Sequence, residues 1–179
     1  ALYKAYRADT TQQAVGHFNK ITKDWGVPII LQQVVSGEEL NVVGVGDGEG
    51  NMIGQLGIKK MWITELGKIW TGVTIRHEKM LKAAEDFVRT YKWKGPFELE
   101  CIVDGDTVYL IEINPRFPAW SYFAAGVGIN LPANTVRKAF DMPLTHMPEY
   151  EAGKLYIRYT YETIKDMSEF QRITLRGEN

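Results

Sequence analysis

Helical and strand-like hydrophobic periodicities alternate along this chain. Ala1 to Tyr6 reads as a strand. Thr10, with Gln13 three residues on, is a capping box, and Ala14, Phe18, Ile21 and Trp25 then recur at helical spacing until Gly26 and Pro28 stop the helix. Ile29 to Val35 is an apolar run broken by Gln32 and Gln33, which predicts a second extended segment. Asp47-Gly48-Glu49-Gly50 is a turn signal between two alternating runs, so residues 40–46 and 51–61 are expected to pair as a hairpin. Glu65-Leu66-Gly67-Lys68 then turns the chain into a strand from Ile69 to Ile75. From Glu78 to Tyr91 the period returns to that of an amphipathic helix, with Met80, Ala84, Phe87 and Tyr91 on its apolar face. Gly126 and Gly128 mark a loop, Pro132 sits in the first turn of a helix ending near Phe140, and residues 154–164 alternate as a closing strand.

The most informative stretch is Gly95 to Arg116, GPFELECIVDGDTVYLIEINPR. Both of its apolar runs are rich in β-branched and aromatic residues and bounded by Gly or Pro, the pattern of a tight antiparallel hairpin. Antiparallel pairing keeps the sum of partner numbers constant, so loop length decides which side chains meet. A two-residue Asp104-Gly105 loop sets Glu100 opposite Tyr109 and turns Glu112 to the other face. A three-residue loop through Asp106 pairs Val103 with Thr107, Glu98 with Glu112 and Glu100 with Leu110. Glu98, Glu100, Glu112 and Asn114 then share one face, with Cys101 and Ile111 on the other. Gathered carboxylates repel, and solvent, basic partners or a divalent cation must offset the cost. Mg²⁺ takes oxygen ligands, usually one or two carboxylates completed by phosphates and water. A solvated acidic face on an edge hairpin is the alternative. The ending Asn114-Pro115-Arg116 argues against it, because a surface strand has no need to stop at a Pro and present an Arg at once.

With these residues the chain resembles the ATP-grasp superfamily, in particular its carbamoyl phosphate synthetase and biotin carboxylase branch. In that family two acids at this spacing, the second inside a Glu-x-Asn-x-Arg string, hold the metals on ATP. The resemblance implies an α+β ATP-grasp fold, an antiparallel sheet with flanking helices, incomplete at its N-terminal end. Residues 1–31 would be a remnant of the small subdomain and 32–179 the large subdomain with the metal and nucleotide site. Glu100, Glu112 and Asn114 would be the metal ligands, with Arg116 the catalytic cation on the acceptor carboxylate or acyl phosphate. Lys4 would reach the phosphates. QQVVSGEELNV resembles the family's hinge: Gln33, Val34 and Val35 would offer backbone to the adenine, Gln32 stands where the family usually has Glu, and Glu39 would bond the ribose. Lys59, or Lys60 beside it, would return to the phosphates. Trp120, Tyr122 and Phe123 would line an acceptor pocket or belong to the core, and Arg158 is a second basic candidate.

The implied activity is an ATP-dependent ligation with Mg²⁺ or Mn²⁺, in which a carboxylate or bicarbonate becomes an acyl phosphate and passes to an amine or similar nucleophile. Its partners are ATP and these small molecules, with an upstream domain or partner chain supplying the missing part of the fold. One departure matters: AYRADTTQQ, where the family usually carries a Gly-rich phosphate loop, holds no Gly. The rival reading is therefore a nucleotide-binding or scaffold module of the same fold that has lost turnover.

Composition narrows the alternatives. A chain of 179 residues that is 45 % hydrophobic is enough for one packed core, and its net charge of −1 argues against a nucleic-acid footprint or a polybasic membrane surface. No apolar run reaches the length of a membrane-spanning helix. The single Cys101 makes no internal disulfide and fits a reducing cytoplasm, and His17, His77 and His146 lack ligand spacing.

Overall fold

The computed structural model describes residues 5–64, 69–168 and 171–172. Five long segments build most of one antiparallel sheet: β1 (Glu38–Asp47), β2 (Met52–Ile63), β3 (Ile69–Thr74), β4 (Lys94–Asp104) and β5 (Thr107–Asn114). A short β6 (Leu155–Ile157) pairs with β3, giving the order β5-β4-β1-β2-β3-β6. β1 lies at the centre, buried from Leu40 through Gly46, as expected of a strand covered on both faces.

Alternation divides its side chains between two cores. Leu40 and Val42 join Phe97, Leu99, Cys101 and Val103 of β4 beneath Met80, Leu81, Ala84 and Val88 of α2 (Glu78–Tyr91). Val43 and Val45 face the other way with Leu56 and Ile58, under α3 (Ser121–Gly126) and α4 (Leu131–Ala139), where Trp120, Phe123 and Leu131 are buried. α4 lies over β1 and β2. The sheet thus has helices on both faces, and the polar side chains of β4 and β5 lie on the α3–α4 face.

The hairpin β4–β5 departs from the expected pairing. Asp104 pairs with Thr107, so the loop is the two residues Gly105-Asp106, and Gly105 has φ 54°, a left-handed value that tight hairpin turns assign to glycine. Continued regularly, that register would place Glu112 opposite Leu99, on the α2 face. A bulge between the partners of Glu100 and Cys101 adds one residue on β5 and restores the alternation. The pairs are Glu98 with Asn114 and Glu100 with Glu112, not Glu98 with Glu112 and Glu100 with Leu110. The four polar residues nevertheless share one face, while Cys101 is buried on the other.

Three other expectations are modified. Residues 1–4 lie outside the described residues, and no strand covers residues 5–8. Among the described residues Ile29 to Val35 joins no ladder, and Ile30, Leu31 and Val34 are exposed. The closing strand stops at Ile157, since only Thr71–Val73 of β3 pairs with it. At the start of α1 (Thr11–Trp25), Thr10 accepts from the Gln13 N–H as the expected box requires, while Gln13 Oε1 accepts from the N–H of Asp9, one residue before the N-cap. That helix buries no residue.

Candidate functional site

Four neighbouring strands contribute to one polar row on the α3–α4 face. β2 brings Lys60, β1 brings Glu39 and Asn41, β4 brings Glu98 and Glu100, and β5 brings Glu112 and Asn114. Lys60 Nζ stands 3.2 Å from Glu39 Oε1 and 3.3 Å from Glu100 Oε2, with only 10 % of its side chain exposed. Asn114 Nδ2 donates to Glu98 Oε2 (3.4 Å) and Glu100 Oε1 (3.3 Å), and its Oδ1 accepts from Arg116 Nη2 at 3.1 Å. Glu98 is buried, 3 % exposed, and its Oε1 accepts from Trp120 Nε1 at 2.9 Å and Asn41 Nδ2 at 3.3 Å. Glu112, directly opposite Glu100, is exposed and makes no side-chain hydrogen bond or ion pair with the described residues.

The electrostatics follow from this crowding. Burial raises the Glu98 carboxyl above the usual range; the Trp120 hydrogen bond pulls it down, Glu100 pushes it up again, and Lys60 and Arg116 lower it. Burial works against the charge on Lys60, but Glu100, Glu39 and Glu98 together outweigh it and raise its pKa, so it stays an ammonium. Among the described residues no three His, Cys, Asp or Glu side chains are placed to share one ion. The donor set instead suits an ion carried on phosphate: two facing carboxylates, the outward Asn114 Oδ1, and a buried Asn41 Oδ1 that accepts no hydrogen bond.

Residues 27–163 match the family profile described as ATP-grasp in the biosynthetic pathway with Ter operon. The chain belongs to the ATP-grasp superfamily. It is 26 % identical over 123 residues to the tyramine–L-glutamate ligase of Methanocaldococcus jannaschii, covering 66 % of this chain and 38 % of that protein. Among solved structures it resembles the N5-carboxyaminoimidazole ribonucleotide synthetase of Thermus thermophilus, with 17 % identity, TM-score 0.58 and coverage of 76 % of this chain and 39 % of that one. It also resembles the phosphoribosylglycinamide synthetase of Anaerococcus prevotii, with 11 % identity, TM-score 0.57 and coverage of 79 % and 39 %. The likeness to the two structures is one of fold. This ATP-grasp chain thus spans well under half the length of each of these relatives.

The fold does not bring every candidate to the row. Lys59 pairs with Leu40 and so points to the α2 face, where it binds Glu38; Lys60 occupies the acid face instead. Gln32, Gln33 and Val34 are exposed and Val35 is partly covered, in a segment without regular structure. Lys4 lies outside the described residues. Trp120 and Phe123 belong to the core, whereas Tyr122 is 78 % exposed. Arg158 lies beside β6, donating to the Ala119 carbonyl at 2.7 Å, and lines a cleft of about 850 Å³ that includes none of Glu39, Glu98, Glu100 and Glu112. Sequence reasoning missed Asn41. Its signal was a lone amide in the apolar run Leu40–Val45, on the same alternation as Glu39.

Proposed function

We propose that this ATP-grasp chain carries the nucleotide and metal platform of a ligase that activates a carboxylate or bicarbonate with ATP and transfers the acyl group to an amine or similar nucleophile. The observation that carries the reading is the facing pair Glu100–Glu112, with Asn114 oriented beside it and Arg116 just beyond. An interaction surface has little reason to hold like charges directly opposite one another.

Glu100, Glu112 and Asn114 would hold the ion on the phosphates, and when bound it would neutralise charge on the transferring group. Lys60 replaces Lys59 as the proposed phosphate cation, because it lies on the acid face. Glu39, now on Lys60, would exchange that partner for ribose hydroxyls, and the segment Gln32–Val35, outside every ladder, has backbone to offer an adenine. Lys4 remains a phosphate candidate by resemblance. In the reaction, a carboxylate oxygen forms a bond to the γ-phosphorus as the β–γ bridging bond breaks and ADP leaves. An amine then attacks the acyl carbon, phosphate departs and the amine loses a proton. No protein nucleophile is required, so the residues act by positioning and electrostatics.

Residues 1–31 are proposed as part of the small subdomain and 32–179 as the large one. The narrower kinship with the carbamoyl phosphate synthetase and biotin carboxylase branch rests on the Glu100–Arg116 string alone. The setting proposed is cytoplasmic, with small-molecule carboxylate and amine partners. The Gly-free stretch before α1 favours the scaffold reading, in which nucleotide binds without turnover.

Arg116 separates the two. Among the described residues its guanidinium hydrogen-bonds only to Asn114 Oδ1 and the Phe117 carbonyl, both close in sequence, so it can meet an anion without dismantling the row. In the complete protein, Arg116→Ala should leave ATP affinity nearly unchanged and lower acceptor-dependent ADP formation about a hundredfold. Unchanged ADP formation with a lowered melting temperature would assign Arg116 to structure and remove it from catalysis.

A further inference from the structure

We propose that Glu98 is a positioning residue that sets which end of the Asn114 side chain faces the site, an inference that rests on the ligase reading above. Three donors converge on its carboxylate: the Trp120 indole N–H, the Asn41 amide and the Asn114 amide. Indole can only donate, so the group between them must accept from all three, and among side chains of this length only a carboxylate does so without placing a hydrogen against a hydrogen. A buried acid beside Glu100 is otherwise unfavourable, since burial and its neighbour both oppose its charge. What it achieves is orientation. With Nδ2 drawn inward by Glu98 and Glu100, Asn114 presents Oδ1 outward, where Arg116 reaches it. An oxygen, not an NH₂, is then offered to a cation. Trp120 adds a second restraint, tying the chain that follows Arg116 back to β4.

The near-isosteric Glu98→Gln separates this role from packing. Its oxygen is claimed by Trp120 and Asn41, so its NH₂ meets the Asn114 NH₂ and opposes the orientation that Glu100 alone is left to hold. In the metal-free chain, the Asn114 side-chain amide protons should exchange slowly in the wild type and at least about tenfold faster in E98Q, followed by NMR. Mn²⁺·ATP affinity, read by the Mn²⁺ electron paramagnetic resonance signal, should fall about tenfold in E98Q. In an Asn114→Asp background the same change should cost almost nothing, because both carboxylate oxygens can serve the ion. An Asn114 amide unchanged in folded E98Q, or an equal Mn²⁺·ATP loss in both backgrounds, would overturn the proposal. If E98Q does not fold, fast exchange of the wild-type Asn114 amide would overturn it equally. Altered amide exchange in a chain that binds no Mn²⁺·ATP would sink the ligase reading and leave the role of Glu98 standing.

Discussion

Lys60 and Lys59 are neighbours with opposite fates, and the difference comes from one alternation of β2. Lys60 is held between Glu39 and Glu100 on the acid face; Lys59 meets Glu38 on the other. Losing one cation–phosphate contact weakens binding by about tenfold, or about 1.4 kcal/mol. Lys60→Met should therefore raise the ATP dissociation constant by about that factor, while Lys59→Met changes it less than about twofold; calorimetry on both variants checks the assignment. Equal effects would mean that the face of β2 is misassigned. The two lysines could not be separated in the sequence, because the turn from Gly48 to Asn51 leaves the hairpin register open and β2 carries an extra residue, Ile53, opposite Val45–Gly46. The acids were legible by type and spacing. Glu98's three donors were not, since Trp120 approaches from a loop and Asn41 from a strand distant in sequence.

At the scale of elements, the β1–β2 turn has its own clamp. Asp47 accepts from the backbone N–H groups of Glu49 and Asn51 and from the Asn51 side chain. Burial pushes its carboxyl upward, but these bonds, with Lys138 nearby, outweigh it and hold the pKa down to about 2. A folded-state pKa below the unfolded one gives stability that is present above the unfolded value of 3.8 and is lost as pH falls toward 2. Asp47→Ala should lower the melting temperature at pH 7, and the difference from wild type should shrink between about pH 4 and 2 as the wild-type carboxylate protonates. A difference constant across that range would show that the clamp does not depend on charge. The elements themselves were largely readable from period and punctuation: α2 begins and ends where its apolar spacing does, and the β1–β2 and β4–β5 hairpins carry their turns at the Asp-Gly signals. The bulge in β5 was not, because no Gly or Pro marks Ile111 and the bulge exists only relative to β4. Ile29–Val35 was read as extended from its apolar content, but a strand is a property of a pair, and this segment pairs with none of the described strands.

Across the whole molecule, two cores fasten helices to both faces of the sheet, and on the α3–α4 face the polar row runs from β2 through β1 and β4 to β5. Among the described residues no helix is long and apolar enough to cross a membrane. α1 buries no residue, and Ile30, Leu31 and Val34 after it are exposed. The row at β4 and β5 is proposed to bind nucleotide through a divalent cation. Isothermal titration of ATP with and without Mg²⁺, on wild type and Glu112→Gln, tests it most directly. Glu112 is exposed and has no side-chain partner among the described residues, so the substitution should leave the fold intact. Mg²⁺ should strengthen wild-type ATP binding at least about tenfold, and Glu112→Gln should lose most of that gain. Equal ATP affinity with and without Mg²⁺, or a Mg²⁺ gain untouched by Glu112→Gln, would contradict it.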